Sequence, residues 1–245
     1  MSINLTIDRG NTLTKLAVWS GNELLKAEAF ESTDVDAMAS FAADYEVDNA
    51  LMCSVAGPLP RLAALLAAKG VELEELSAET SLPITIDYET PSTLGSDRIA
   101  AVVGAWAMMP GRDVLVVDAG TAVTYEHLTA AGCFAGGNIA PGVDMRLRAL
   151  HAFTKRLPEV AASETAPTDW GLNTRQAMVN GAVNGILAET LYYRSLLPPA
   201  SAIVITGGDG ESLASRFEFR VFYEPHLVTL GLNAIINFNN QPLNI

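Results

Sequence analysis

The sequence predicts an α/β protein built by duplication, and three observations carry that prediction. Short β-rich apolar runs alternate with longer segments of helical periodicity along the chain, the pattern of a layered α/β architecture. The dipeptide Pro110-Gly111 is a strong break, after which "DVLVV" (113–117) starts the series again with a buried strand. Finally, "DRGNTLT" (8–14) lies over "DAGTAVT" (118–124) with Asp on Asp, Gly on Gly and Thr on Thr, each copy preceded and followed by an apolar strand. Two domains are therefore expected, 1–110 and 111–245.

The elements follow in order. Residues 3–7 alternate and are rich in β-formers, and strands are likewise expected at 14–19 and 23–30. A helix near 33–44, a strand at 48–54, a helix at 59–69, a strand at 83–87 and a helix at 96–109 complete the first half. The second half reads as strands at 113–117 and 121–128, a Gly-rich passage "GCFAGGNIAPG" (132–142), helices at 143–155 and 173–197, a strand at 201–206, and a last helix near 227–238. The polar, proline-containing stretch 158–171 is expected to be a surface loop joining two helices.

Composition narrows the function. The chain has 245 residues, 49% of them hydrophobic, enough for a packed core. Its formal charge of −13 argues against a nucleic-acid or anionic-membrane surface, so an anionic small ligand has to be met by local donors. The apolar stretch 99–110 is shorter than the roughly 20 residues a bilayer requires. No signal peptide is evident at the N-terminus, and two distant cysteines do not make a disulfide framework, so a cytoplasmic location is expected. The three histidines lack metal-ligand spacing.

The chemistry gathers at strand ends and turns. Asp8 closes the first strand, Gly10 permits backbone conformations closed to other residues, and Asn11 and Thr12 offer polar groups before the second strand. Such a lip suits a phosphate with its divalent cation, although Asp, Gly and Asn also dominate ordinary turns. Asp118, Gly120, Thr121 and Thr124 form the second copy, and the two hairpins are expected to clasp one ligand. Asp97 and Arg98 open an apolar helix after Gly95, as a cap with a salt bridge or as a site. In the second case Asp97 accepts a proton from a nucleophile and Arg98 holds the phosphoryl acceptor. Neither a P-loop nor a dinucleotide fingerprint is present.

The set "DRGNTLTK" (8–15), "YETPSTLGSDR" (88–98), "DAGTAVT" (118–124), "GGNIAPG" (136–142), "LP" (157–158), "NTRQAMVNGAVNG" (173–185) and "TGG" (206–208), in this order, closely resembles the type III pantothenate kinases over nearly the whole chain. The resemblance implies two ribonuclease H-like domains in the actin-like arrangement of the acetate and sugar kinase, Hsp70 and actin superfamily. It implies ATP-dependent phosphorylation of the terminal hydroxyl of pantothenate, the first committed step towards coenzyme A. Carried over by position, Asp8, Arg9, Gly10, Asn11, Thr12, Leu13, Thr14 and Lys15 form the first phosphate loop, with Asp8 also organising Mg²⁺. Tyr88, Gly95, Ser96, Asp97 and Arg98 contact pantothenate, with Asp97 as the proton acceptor. Asp118 binds a monovalent cation, K⁺ or NH₄⁺, Thr121 contacts ATP, and Thr174 reaches pantothenate from the neighbouring subunit of a homodimer.

Two places depart from the family pattern. Arg9 stands where an aliphatic residue is common, and "CSVAGP" (53–58) varies a serine-rich strand end. Strand alternation turns Arg9 away from Asp8. Other readings are a non-catalytic regulatory relative, a sugar or acetate kinase with another acceptor, and a filament or chaperone ATPase. Asp8, Asp97, Arg98 and Asp118 favour the active kinase over the first, and the "GSDR" site and short chain favour it over the others.

Overall fold

In the computed structural model, residues 2–241 are described. They form two compact units. The first runs to Gly111 and takes in Gly132–Ala135 and the segment from His226 onward, and the second comprises Arg112–Ala131 and Gly136–Pro225.

The sheet of the first unit is made of β1 (Ile3–Arg9), β2 (Leu13–Ser20), β3 (Glu23–Glu31), β4 (Asn49–Ser54) and β5 (Leu73–Glu75), in the order β3-β2-β1-β4-β5. The first three strands are antiparallel, and β4 and β5 join in parallel. One face buries Leu5, Ile7, Leu16 and Val18 against Met38 and Phe41 of α1 (Val35–Ala43) and Leu62 and Leu66 of α2 (Pro60–Ala68). The opposite face carries α3 (Ser96–Met108) and α7 (Leu227–Asn239). Between β5 and α3 lies the short strand β6 (Thr85–Ile86).

In the second unit the strands are β7 (Val114–Ala119), β8 (Ala122–Leu128), β9 (Cys133–Pro141, of which the part from Gly136 belongs to this unit), β10 (Ala202–Thr206) and β11 (Phe222–Tyr223), ordered β9-β8-β7-β10-β11. Here too the first hairpin is antiparallel and the last two strands add in parallel. Its core packs Leu115, Val117, Ile203 and Ile205 against Leu147 of α4 (Val143–Ala152), Val179 and Ile186 of α5 (Thr174–Ser195), and Leu213 of α6 (Gly210–Ala214). The two strand orders are the same pattern, so the duplication read from the short repeat is present in the topology.

Several expectations are corrected. The strand expected at 83–87 is only Thr85–Ile86, paired with Cys133 and Phe134. The Gly-rich passage, for which the sequence suggests no element, forms β9, its glycines concealing the strand character. Strands β5 and β11 and helix α6 went unread because none exceeds five residues and their patterns are too short to register. Chain order puts the last helix in a domain 111–245, whereas by compactness α7 groups with the first unit. The reason is packing: Gly231 lies flush on the Ala100 carbonyl and Gly104 on that of Leu227, while Asn4 donates to Asn233 and Asn237 at 2.8 and 2.9 Å. Among the described residues no helix is long and apolar enough to cross a membrane.

Candidate active site

Strand register builds the site of the first unit. Asp8 in β1 pairs with Lys15 of β2 on one side and Cys53 of β4 on the other, so the three side chains form a row on the face that carries α3 and α7. Cys53, fully buried, directs its thiol at Asp8 Oδ1, 3.7 Å away. Burial pushes the Asp8 carboxyl above its ordinary pKa, and the nearby charge of Asp97 adds to the rise, while Lys15 and the Cys53 thiol act in the opposite direction. Burial first, and then the Asp8 and Asp97 charges, raise the Cys53 thiol well above its ordinary value, so it is a donor and not a thiolate.

Asp97 is the second residue of α3. Its Oδ1 accepts the Arg98 N–H at 2.9 Å, and it leans so closely over Gly95 that a Cβ there would collide with it. Of the two expected readings, the cap is not made in its usual form: the N-cap is Gly95, with no side-chain capping bond. Arg98 is buried, with its guanidinium carbon 5.8 Å from the ring centres of both Tyr88 and Phe134. Those rings meet edge to face at 6.1 Å, brought together because β6 pairs with the start of β9 and Asp87 N donates to the Phe134 carbonyl.

The rest of the first loop divides. Gly10 N donates to the Leu13 carbonyl at 3.0 Å, closing the turn that carries the exposed Asn11 and Thr12. Thr14 is fully buried, with its hydroxyl against that of Ser32 at 3.2 Å, so its side chain is turned away from the row containing Asp8. Arg9 pairs with Thr14 and Ser54, on the same side as Ile7. Its Nε and Nη1 are buried and have no hydrogen-bond partner among the described residues.

The second unit repeats the geometry with different chemistry. Asp118 in β7 pairs with Thr124 of β8 and Thr206 of β10, so two hydroxyl residues flank this carboxylate where Lys15 and Cys53 flank Asp8. The ungapped repeat set Thr14 on Thr124, but the register sets Lys15 there, because the first turn is one residue longer. Gly207, at φ +91°, brings its backbone against Asp118 Oδ1 and the Ala119 carbonyl, leaving no room for a side chain. Gly142 N donates to the Thr121 carbonyl at 3.1 Å, and Thr121 is exposed at the turn. Thr174 is exposed at the start of α5, behind an Asn173 cap that accepts from Gln176 N at 3.0 Å.

Cys53 and Phe134 were missed from the sequence. The alternation within "GCFAGGNIAP" is the signal that would have marked Phe134 as an inward strand residue. Cys53 carries no comparable local signal, because its partner is 45 residues away.

Comparison with known proteins follows the same lines. A family model described as type III pantothenate kinase matches residues 4–193. The type III pantothenate kinase of Bacteroides fragilis YCH46 is 39% identical over 241 residues, 97% of this chain and 99% of that one. Among solved structures, a Campylobacter jejuni protein provisionally described as a Baf family transcriptional activator superposes with a TM-score of 0.63 at 24% identity, covering 96% of this chain and 98% of that one. An activator of 2-hydroxyisocaproyl-CoA dehydratase from Clostridium difficile, solved with bound ADPNP, gives 0.54 at 11% identity, with 97% and 94% covered. These likenesses bear on fold alone, and the fold they share with this chain is the duplicated actin-like one.

Proposed function

The chain belongs to the type III pantothenate kinase family, and from that premise we propose how its own residues divide the reaction. That reaction is ATP-dependent phosphorylation of the terminal hydroxyl of pantothenate to 4'-phosphopantothenate, the first step of coenzyme A biosynthesis.

The observation that carries the assignment is the pair of interacting carboxylates in the first unit: Asp8 within a strand row, and Asp97 at a helix start. Two carboxylates in different environments can take different roles. Asp97 receives or orients the hydroxyl proton of pantothenate. Tyr88, Gly95, Ser96 and Arg98 hold that substrate, with Arg98 fixed between two aromatic rings as the group that meets its carboxylate. The polar turn Gly10 to Thr12 and the Lys15 ammonium neutralise phosphate charge, which is most of what phosphoryl transfer asks of a protein. Thr121 contacts ATP from the second hairpin.

Asp8 is suited to Mg²⁺, since a hard oxygen donor is what that ion takes and a cation would offset the burial of the carboxylate. Bound there, the ion would supply further neutralisation of the triphosphate. Asp118, with the Ala119 carbonyl close by and Thr124 and Thr206 in register on either side, offers oxygen donors of the kind K⁺ or NH₄⁺ takes.

We also propose a homodimer in which Thr174 reaches the partner's pantothenate. Phe153, Trp170 and Leu172, exposed by 88, 84 and 92%, supply apolar surface for such contact. Cys53 and Cys133 form no disulfide among the described residues, which with dependence on ATP fits a cytoplasmic setting.

The test is to supply Mg-ATP and pantothenate with either K⁺ or Na⁺ as the only monovalent cation, and to look for 4'-phosphopantothenate by mass. Product with K⁺ and little with Na⁺ supports both the reaction and the cation site. Equal product in both salts removes the Asp118 assignment, and none in either removes the division of roles.

A further inference from the structure

We propose that Arg146 and Glu189 form a clamp that positions the second phosphate loop for ATP, a role that rests on the reading of Thr121 as an ATP contact. Arg146 is the fourth residue of α4, with only 18% of its side chain exposed. Its Nε donates to the Pro141 carbonyl at 2.7 Å, and its Nη2 to Glu189 Oε2 at 2.6 Å. The same carboxylate oxygen accepts the Tyr125 hydroxyl at 2.9 Å, and Tyr125 is a buried residue of β8, the strand that leads away from the Thr121 turn. One turn before Glu189 on the same face of α5, Gly185 leaves space for the guanidinium, since a Cβ there would come within 2.8 Å of Nη1.

The consequence falls on the next residue. Pro141, held by Arg146, precedes Gly142, whose N–H donates to the Thr121 carbonyl and whose Cα lies flush on the backbone of Gly120 and Thr121. The chain Glu189, Arg146, Pro141, Gly142, Thr121 therefore fixes the turn from both ends: through β8 by Tyr125 and through the α4 entrance by Arg146. A planar guanidinium with donors on separate nitrogens can hold a carbonyl and a carboxylate at once, whereas a lysine ammonium at the end of a flexible stem cannot keep both in the same geometry. None of these residues needs to touch the transferred phosphoryl group. They are positioning residues, and they act on the affinity for ATP instead of on the transfer step.

The test compares the Mg-ATP affinity of the wild-type chain, Arg146→Lys, Glu189→Leu and Glu189→Gln by calorimetry, and then their steady-state kinetics. The expected result is a rise of about tenfold in Kd and KM for ATP in Arg146→Lys and Glu189→Leu, the scale on which one lost or misaligned hydrogen bond shifts a binding equilibrium. Pantothenate KM and kcat should stay within about twofold. Glu189→Gln, which keeps an oxygen for both donors, should recover most of the ATP affinity. It also serves as the folded variant should Glu189→Leu not fold. Unchanged ATP affinity in folded Arg146→Lys, or equal losses in both KM values, overturns the clamp. Wild-type affinity that Thr121→Ala leaves unaltered removes the reading of Thr121 and the clamp with it, whereas loss in Thr121→Ala without loss in Arg146→Lys removes the clamp alone.

Discussion

Asp97 has one carboxylate oxygen occupied by the Arg98 N–H, and no other hydrogen bond engages it among the described residues, which leaves the second oxygen for an acceptor hydroxyl. Asp97→Asn should therefore lower kcat by about 10²–10⁴-fold with little change in KM for ATP, as measured by steady-state turnover. Asp8 gives a pH-linked expectation. Burial raises its folded pKa above the unfolded value, so between the two the folded chain holds more protons and stability falls as pH rises. Above the folded value the ionised carboxylate is a full burden on the ligand-free chain. Asp8→Asn should raise the neutral-pH Tm while abolishing any stabilisation by added Mg²⁺, and a lowered Tm would contradict this account of the carboxylate. Arg9 is the opposite kind of residue, since its orphaned Nε and Nη1 make no bond that a replacement would lose. Arg9→Leu should stabilise the chain by about 1–2 kcal/mol, read by urea denaturation. The acidic candidates were legible because a carboxylate beside a glycine at a strand end or helix start is written locally. Cys53 and Phe134 reach the site through strand pairing with distant residues, which no local pattern encodes.

The helix that carries Asp97 is held by another element, α7, through backbone contact at Gly104 and Gly231. A methyl group at either position would meet a carbonyl with no side-chain freedom to relieve it. Gly231→Ala should lower stability by about 1–3 kcal/mol or more, measured by thermal or urea unfolding, and an unchanged midpoint would show that the two helices can separate without strain. Elements of ordinary length were readable from periodicity and end signals, as with the Pro at the start of α2 and the Asn173 cap of α5. What failed were assignments that depend on neighbours. β9 is a strand despite its glycines because β8 hydrogen-bonds along it, and α7 joins the first unit because Asn233 and Asn237 meet Asn4 near the other end of the chain.

Across the whole molecule, one strand order occurs twice, and the two copies have diverged at equivalent positions. Lys15 and Cys53 flank the first aspartate, and Thr124 and Thr206 the second. A positively charged, thiol-lined row suits phosphate and a divalent cation, and a hydroxyl-lined one suits a weakly bound monovalent ion, so the proposed division of labour rests on chemistry that the shared aspartates alone do not reveal. For the proposed dimer, with the exposed Phe153 and Leu172 at its interface, analytical ultracentrifugation should find twice the chain mass of 26.0 kDa, with Phe153→Ser and Leu172→Ser together shifting it to the monomer. The central claim, that Asp97 serves transfer to pantothenate, is tested most directly by ADP release from Mg-ATP with and without pantothenate, in the wild-type chain and in Asp97→Asn. The account predicts release that depends on pantothenate in the wild type and nearly vanishes in the variant. Release that ignores pantothenate, or that survives unchanged in Asp97→Asn, would contradict it.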